Sequence, residues 1–162
     1  MEGHKGPIIA LITIDPKDLF MQTRDPSVDD ASATHKILSA SLDNTIWLWD
    51  TKGEMQTISI MENDERSELA SMSYLLEAGL VATGHEDGHI WLWNLEIGTH
   101  VIITGEGNNK MKHRSTVSCL KGIWYKGCEY LICGSYDGRI SIWEISLKVQ
   151  TGETAANWQV YP

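Results

Sequence analysis

The sequence predicts an all-β fold made of three repeated four-stranded antiparallel units, and three observations carry the prediction. The stretches SLDNTIWLWD (41–50), GHEDGHIWLWN (84–94) and GSYDGRISIWE (134–144) are near-copies of one another. Each sets an Asp six residues before a Trp: Asp43 and Trp49, Asp87 and Trp93, Asp137 and Trp143. The three Trp residues stand 44 and then 50 residues apart, which is the period of a repeat architecture and not of a helix. A unit of that size cannot bury its own apolar face, so stacked neighbours must do so.

Around each Asp the pattern has period 2. In the first unit KILSAS precedes Asp43, TIWLW follows it, and EMQTISI comes after a Thr-Lys-Gly turn, which reads as strand, hairpin, strand and strand. The Asp-Asn and Asp-Gly steps suit a tight turn because Asn and Gly accept positive φ at little cost. A further strand precedes each unit, marked by apolar residues three apart: Ile8 and Leu11, Leu69 and Met72, Val117 and Leu120. The strands therefore fall near 7–12, 36–41, 45–49 and 55–60; 68–74, 79–84, 88–93 and 99–104; 116–124, 129–135, 139–144 and 156–161.

From Leu11 to Asp43 is 32 residues, against 15 from Met72 to Asp87 and 17 from Leu120 to Asp137. The first unit thus carries an insertion at about 14–34, with two Asp-Pro steps and the chain's one Phe. Loops longer than ~12 residues are usually functional or disordered. The units divide as 1–61, 62–105 and 106–162.

A chain of 162 residues that is 42% hydrophobic can bury a core, and its four prolines argue against disorder. The net charge of -9 disfavours a nucleic-acid backbone or an anionic membrane as the main partner. No apolar run approaches a membrane span, and MEGHKGPI lacks the features of a signal peptide, so a cytoplasmic chain is expected. Cys119, Cys128 and Cys133 have no CxxC spacing, which points to free, mostly buried thiols.

These residues resemble the WD-repeat β-propellers, with Gly3-His4 near the start of the first unit and Trp49-Asp50 near its end; the later units end Trp-Asn and Trp-Glu. The resemblance implies three four-stranded blades of a partial propeller, too few to close a ring of the usual four to eight. It also implies a hydrogen-bonded tetrad in each blade: a His before the first strand, a hydroxyl on the second, the turn Asp and the third-strand Trp. By position the first blade holds His4, Ser41, Asp43 and Trp49, and the third holds His113, Ser135, Asp137 and Trp143. In the second, Glu65 stands at the His position and His85 at the hydroxyl position, beside Asp87 and Trp93. His85 is expected to supply the missing imidazole, donating to Asp87 and also to Glu65, with its pKa raised by the two carboxylates.

The Asp, His and Ser sets contain the ingredients of a hydrolase triad, but their repetition at structural positions and the lack of a nucleophile elbow favour fold support. His85 and His89 could be read as metal ligands; a hairpin between them and no third ligand nearby speak against it. Trp47 and Trp91 suit packing between blades better than aromatic anchoring of a partner. KMKHR (110–114) could receive an acidic or phosphorylated segment, though a solvated loop is the simpler reading.

The function expected is a non-catalytic scaffold for protein–protein interaction, with no cofactor, metal, nucleic acid or membrane. Its partners would be proteins or peptide segments, together with further blades, another copy or another chain covering the open faces. Lys5, Leu42, Arg66, Glu86, Arg114 and Tyr136 are the candidate contacts, since the Asp turns and the loops before the first strands share one rim. A structural component of a ciliary or other cytoskeletal complex is the alternative, and an enzyme the remoter one.

Overall fold

The computed structural model describes residues 3–15, 35–50, 55–56, 67–94, 99–104, 112–149 and 156–161. Most of the 14–34 insertion, Glu65 and Arg66 lie outside them. The first sheet holds β1 (Ile8–Ile14), β2 (Lys36–Ser41), β3 (Ile46–Asp50) and β4 (Met55–Gln56). The second holds β5 (Leu69–Leu75), β6 (Leu80–His85), β7 (Ile90–Asn94) and β8 (Thr99–Ile102). The third holds β9 (Val117–Tyr125), β10 (Cys128–Ser135), β11 (Ile140–Val149) and β12 (Ala156–Tyr161). Each sheet is antiparallel with its strands in chain order, so each repeat is one four-stranded blade.

Strand alternation decides which face meets which neighbour. In the second sheet Thr83 pairs with Trp91 and Val81 with Trp93, which puts these four side chains on one face. Leu80, Ala82, Ile90 and Leu92 occupy the other. Val81, Trp91 and Trp93 bury themselves against Leu38, Ala40, Ile46 and Leu48 of the first blade. Leu80, Ala82, Ile90 and Leu92 pack against Leu131, Cys133, Trp143 and Ile145 of the third. Each Trp-bearing face is thus turned toward the preceding blade.

The inner strands are tied as well: Ser71 Oγ donates to the Val117 carbonyl at 2.6 Å, and Gly122 N–H to Ser73 Oγ at 2.9 Å. Gly84 is required at this seam, because a Cβ there would lie 2.5 Å from Ser71 Oγ and 2.6 Å from Val117 Cγ1.

The cysteines differ from expectation. All three are free, but Cys133 alone is buried; Cys128 is half-buried and Cys119 exposed. Cys119 pairs with Gly134 as Ser71 pairs with Gly84, so it holds in β9 the place that Ser71 holds in β5. Ser71 is covered by the third blade, whereas no described blade follows to cover Cys119.

The same parity leaves two faces open. On the first blade Leu11 pairs with Ser39, and Ser39 with Trp47, on the Trp-bearing face; Leu11 is 66% exposed. On the third blade Ile140 is 74% exposed and Ile142 53%. Apolar patches of this kind promote association. Residues 1–162 in isolation are therefore expected to form species larger than a monomer or to bind an apolar dye. A monodisperse monomer in light scattering without dye binding would contradict this.

Candidate functional site

The polar groups that looked like chemistry converge at the Asp-turn end of each blade. The turns themselves are equivalent. Asn44, Gly88 and Gly138, each following the Asp, adopt φ of 63°, 87° and 78°. Each Asp accepts from a backbone N–H two residues on, that of Thr45, His89 or Arg139, at 3.0 Å. The Asn and Gly choices at these positions follow from the left-handed backbone the turn requires.

In the first blade Trp49 Nε1–H donates to Ser39 Oγ at 2.6 Å, and the same hydroxyl lies 2.6 Å from His4 Nε2. Thr45 Oγ1 donates to Asp43 Oδ1 and so accepts from His4 Nδ1–H, which in the neutral imidazole leaves Nε2 to accept the Ser39 proton. Nδ1 in turn faces Thr45 Oγ1 at 2.8 Å and Asp43 Oδ2 at 3.3 Å. The bridging hydroxyl is Ser39, not Ser41. Ser41 closes the turn, accepting from the Asp43 N–H at 3.1 Å. It sits at the strand's end, on the same face as Ser39 but two residues further from Ile37, the partner of Trp49.

The third blade runs the same relay with one substitution. Trp143 Nε1–H donates to Ser141 Oγ at 2.9 Å, Ser141 donates to His113 Nε2 at 2.9 Å, and His113 Nδ1–H meets the Asp137 carboxylate at 3.2 and 3.3 Å. Ser135 again serves the turn, accepting from Asp137 N–H at 3.2 Å and donating to the Ser115 carbonyl. The bridging hydroxyl has moved to the third strand. Ser141 pairs directly with Cys133, as Trp47 pairs with Ser39 and Trp91 with Thr83, so the hydroxyl has changed sides within one cross-strand pair. Burial pushes the Cys133 thiol up to about 12, which makes it an inert filler.

The second blade corrects the expectation for His85. Trp93 Nε1–H donates to Thr83 Oγ1 at 2.8 Å, Thr83 to His85 Nε2 at 3.0 Å, and His85 Nδ1–H to the Ser67 carbonyl at 3.2 Å. His85 thus supplies the imidazole from β6, but the relay ends on a carbonyl and not on Asp87; Glu65 lies outside the described residues. Burial lowers the His85 pKa, outweighing the Ser67 carbonyl and the Asp87 charge, so the ring is held neutral and not as an imidazolium. Asp87 instead faces His89 Nε2 at 3.7 Å and Lys112 Nζ at 3.9 Å.

Burial raises the pKa of Asp43, but donation from Thr45 and from the Lys5 and Thr45 backbone, with His4 beside it, brings it down to about 2. Asp137 is also held at about 2, chiefly by the Arg114 N–H and then, against burial, by Arg139 N–H and His113. Among the described residues no group of His, Cys, Asp and Glu could hold a metal. Trp91 is 3% exposed and stacks on Trp93 at 5.2 Å and on His100 at 4.8 Å; Trp47 stacks on Trp49 at 5.3 Å. Lys5, Leu42, Glu86, Arg114 and Tyr136 are exposed around the Asp turns, and Arg66 lies outside the described residues.

Sequence reasoning missed Ser39, Thr83 and Ser141. Ser39 and Thr83 both stand four residues before the Asp, where the third blade has Cys133, and that recurrence was available as a signal. The shift to Ser141 becomes visible only through strand register.

Three stacked four-stranded blades, each closed by an Asp turn and an indole–hydroxyl–imidazole relay, define a segment of a β-propeller. The chain belongs to the WD domain, G-beta repeat family, which matches residues 1–50 and 103–144. Those stretches flank the second blade, whose network departs from the other two.

The chain is similar to a ribosome biogenesis protein WDR12 homolog of Dictyostelium discoideum, 25% identical over 118 residues, covering 70% of this chain and 23% of the relative. The homologs of Drosophila persimilis, at 26%, and Drosophila yakuba, at 25%, are matched over 98% and 99% of this chain and 37% of their own length. The chain therefore spans little more than a third of these relatives at most. A solved structure of U3-55K superposes with a TM-score of 0.57 at 20% identity, over 99% of this chain and 40% of that one, and supports the fold.

Two outcomes check the relays. Ser141→Ala leaves the Trp143 N–H and a ring nitrogen of His113 unpaired and is expected to cost roughly 1–3 kcal/mol in thermal or denaturant unfolding. A larger loss from Ser135→Ala than from Ser141→Ala would contradict the assignment. The lowered pKa of His85 makes its contribution fully present above the unfolded value near 6.5 and lost as pH falls through the folded one. His85→Asn is expected to be most damaging at pH 7–8, with the gap to the parent narrowing toward pH 5; a gap that widens with acid would overturn the neutral assignment.

Proposed function

We propose that the chain is a non-catalytic interaction scaffold forming part of a larger propeller, and that it serves in ribosome biogenesis. The observation that carries the scaffold reading is the relay itself. The hydroxyls, imidazoles and carboxylates that could act as nucleophile, base and orienter are engaged in holding blades together, once per blade, and a repeated structural network is a poor place for turnover. The names of the relatives support the process, and they give no support to the ciliary alternative.

The open Trp-bearing face of the first blade and the open Ile140 and Ile142 face of the third repeat the two sides of the interfaces already formed. Further blades are the natural cover for both. The rim of Lys5, Leu42, Glu86, Arg114 and Tyr136 is the proposed surface for protein partners, with Tyr136, 77% exposed, as its aromatic anchor. The cytoplasmic placement belongs to the same proposal. The acidic balance argues against direct contact with an RNA backbone, but a protein partner that itself binds RNA is compatible with it.

The test is affinity purification of the full-length protein from cells, with mass spectrometry of what accompanies it. Ribosome assembly proteins, lost on Tyr136→Ala in a normally folded chain, are the expected result. Ciliary or cytoskeletal components in their place would overturn the assignment of process, and turnover that disappears on Ser39→Ala while the melting temperature is unchanged would overturn the scaffold.

A further inference from the structure

A groove of about 300 Å³ opens at the rim opposite the Asp turns, between the β5–β6 turn of the second blade and the β9–β10 hairpin of the third. Its lining includes Ala78, Ile145, Trp124, Glu77 and Glu129; Glu144 also borders it, but its side chain lies on the opposite face of the third sheet, bonded to Tyr130.

The groove has a fixed frame. Glu129 is 3% exposed and both its oxygens are occupied, accepting from Glu77 N–H at 3.2 Å and Ala78 N–H at 2.7 Å. This clamps the turn of one blade to the hairpin of the next. The hairpin turns through Lys126 and Gly127, both at positive φ (50° and 85°), and reaches past the blade: Trp124 is 53% exposed and Tyr125 56%. In the second blade the strands flanking the corresponding turn end on Leu75 and Leu80, both buried. The third-blade hairpin therefore carries aromatic surface that its counterpart does not.

Charge is one-sided here. No Lys or Arg lines the groove, and among the described residues Glu77 has no cationic partner. The nearest cation of the hairpin, Lys126, has its ammonium over the Tyr125 ring at 5.2 Å. An indole face beside a carboxylate without a cation suits a planar cation, which can stack on the ring and direct its N–H groups to that carboxylate.

We propose that this groove docks an arginine side chain of a protein partner, its guanidinium stacked on Trp124 and paired with Glu77. The site lies apart from the Asp-turn rim and takes from the scaffold reading only that the partner is a protein. A nucleic acid is disfavoured because its phosphates would meet the same carboxylate.

The test uses a fluorescein-labelled Gly-Arg-Gly-Arg-Gly peptide in anisotropy titrations with the chain, at low and at raised salt. Saturable binding is expected, weakened by salt and absent for the Gly-Glu-Gly-Glu-Gly control. Trp124→Ala and Glu77→Gln are each expected to weaken binding at least ~3-fold, the scale of one exposed cation–π contact or ion pair. Both positions are exposed, so melting temperatures should match the parent; if Trp124→Ala fails to fold, Glu77→Gln decides. Tyr136→Ala at the other rim should leave binding unchanged. Absence of saturable binding by folded chain, unchanged affinity in the folded groove variants, or displacement of the peptide by a decauridine oligonucleotide would overturn the proposal. None of these outcomes bears on the purification result, so the two readings fail separately.

Discussion

One shared hydroxyl governs the architecture of each blade. It accepts from an indole N–H and, having a single proton, gives that proton to an imidazole nitrogen, which fixes the tautomer and aims the second ring nitrogen at an acceptor near the Asp turn. In the first blade this ties three chain segments to one point; in the second, where Thr83 and His85 share β6, and in the third, where Ser141 and Trp143 share β11, it ties two. Removing the hydroxyl would strand two buried polar atoms together, and an unpaired buried group costs more than a made bond returns. This is why the hydroxyl can change places but not be absent. In the third blade it moves from the second strand to the third, to Ser141, and the space it leaves is filled by Cys133. Facing side chains of a cross-strand pair are only ~5 Å apart at Cβ, so the exchange keeps both bonds within reach.

The second blade shows what changes when the imidazole comes from a strand and not from the loop before it. His85 stands on β6 itself, and its outward nitrogen meets the Ser67 carbonyl and not a carboxylate. A neutral acceptor calls for a neutral ring, and burial enforces the same choice. Asp87 is then available to Lys112, on the loop before the third blade, at 3.9 Å. The turn is closely seated there, since a Cβ on Gly88 would fall 2.0 Å from the His113 carbonyl oxygen.

The repeat, its four strands and the turn chemistry were legible in the sequence because they rest on local rules: alternation within a strand, and Asn or Gly where φ is positive. The Trp, the Asp and the loop His were legible from spacing for the same reason. The bridging hydroxyl was not, because Ser39 and Ser41 are both small, polar and near the Asp. What separates them is how far along β2 each lies from Trp49, and that is set by register with β3. The charge state of His85 was illegible for a different reason: it depends on burial and on a backbone carbonyl that no residue type announces. Cys119 was misjudged because its exposure is a property of the missing neighbour and not of its own strand.

Trp47 and Trp91 raise a last question, since the Nε1–H of each is buried with no acceptor among the described residues. For Trp47, which lies on the open face, a covering neighbour would supply an acceptor. Trp91 excludes that explanation as a general one, because its face is already covered by the first blade and its N–H is still unpaired. The balance is better drawn in magnitudes. An orphaned N–H costs roughly 1–3 kcal/mol. A buried indole removes about 150–250 Å² from water, worth about 4–6 kcal/mol at 25 cal/mol per Å². Stacking of Trp91 on Trp93 and His100 adds to the favourable side. The third blade, with Ser141 at this position, makes the opposite choice: it gives up the second indole and with it the orphaned donor. Its relay hydroxyl then occupies the space the indole would have filled, so within one cross-strand pair a blade holds either a packed Trp opposite its hydroxyl or the hydroxyl opposite a thiol.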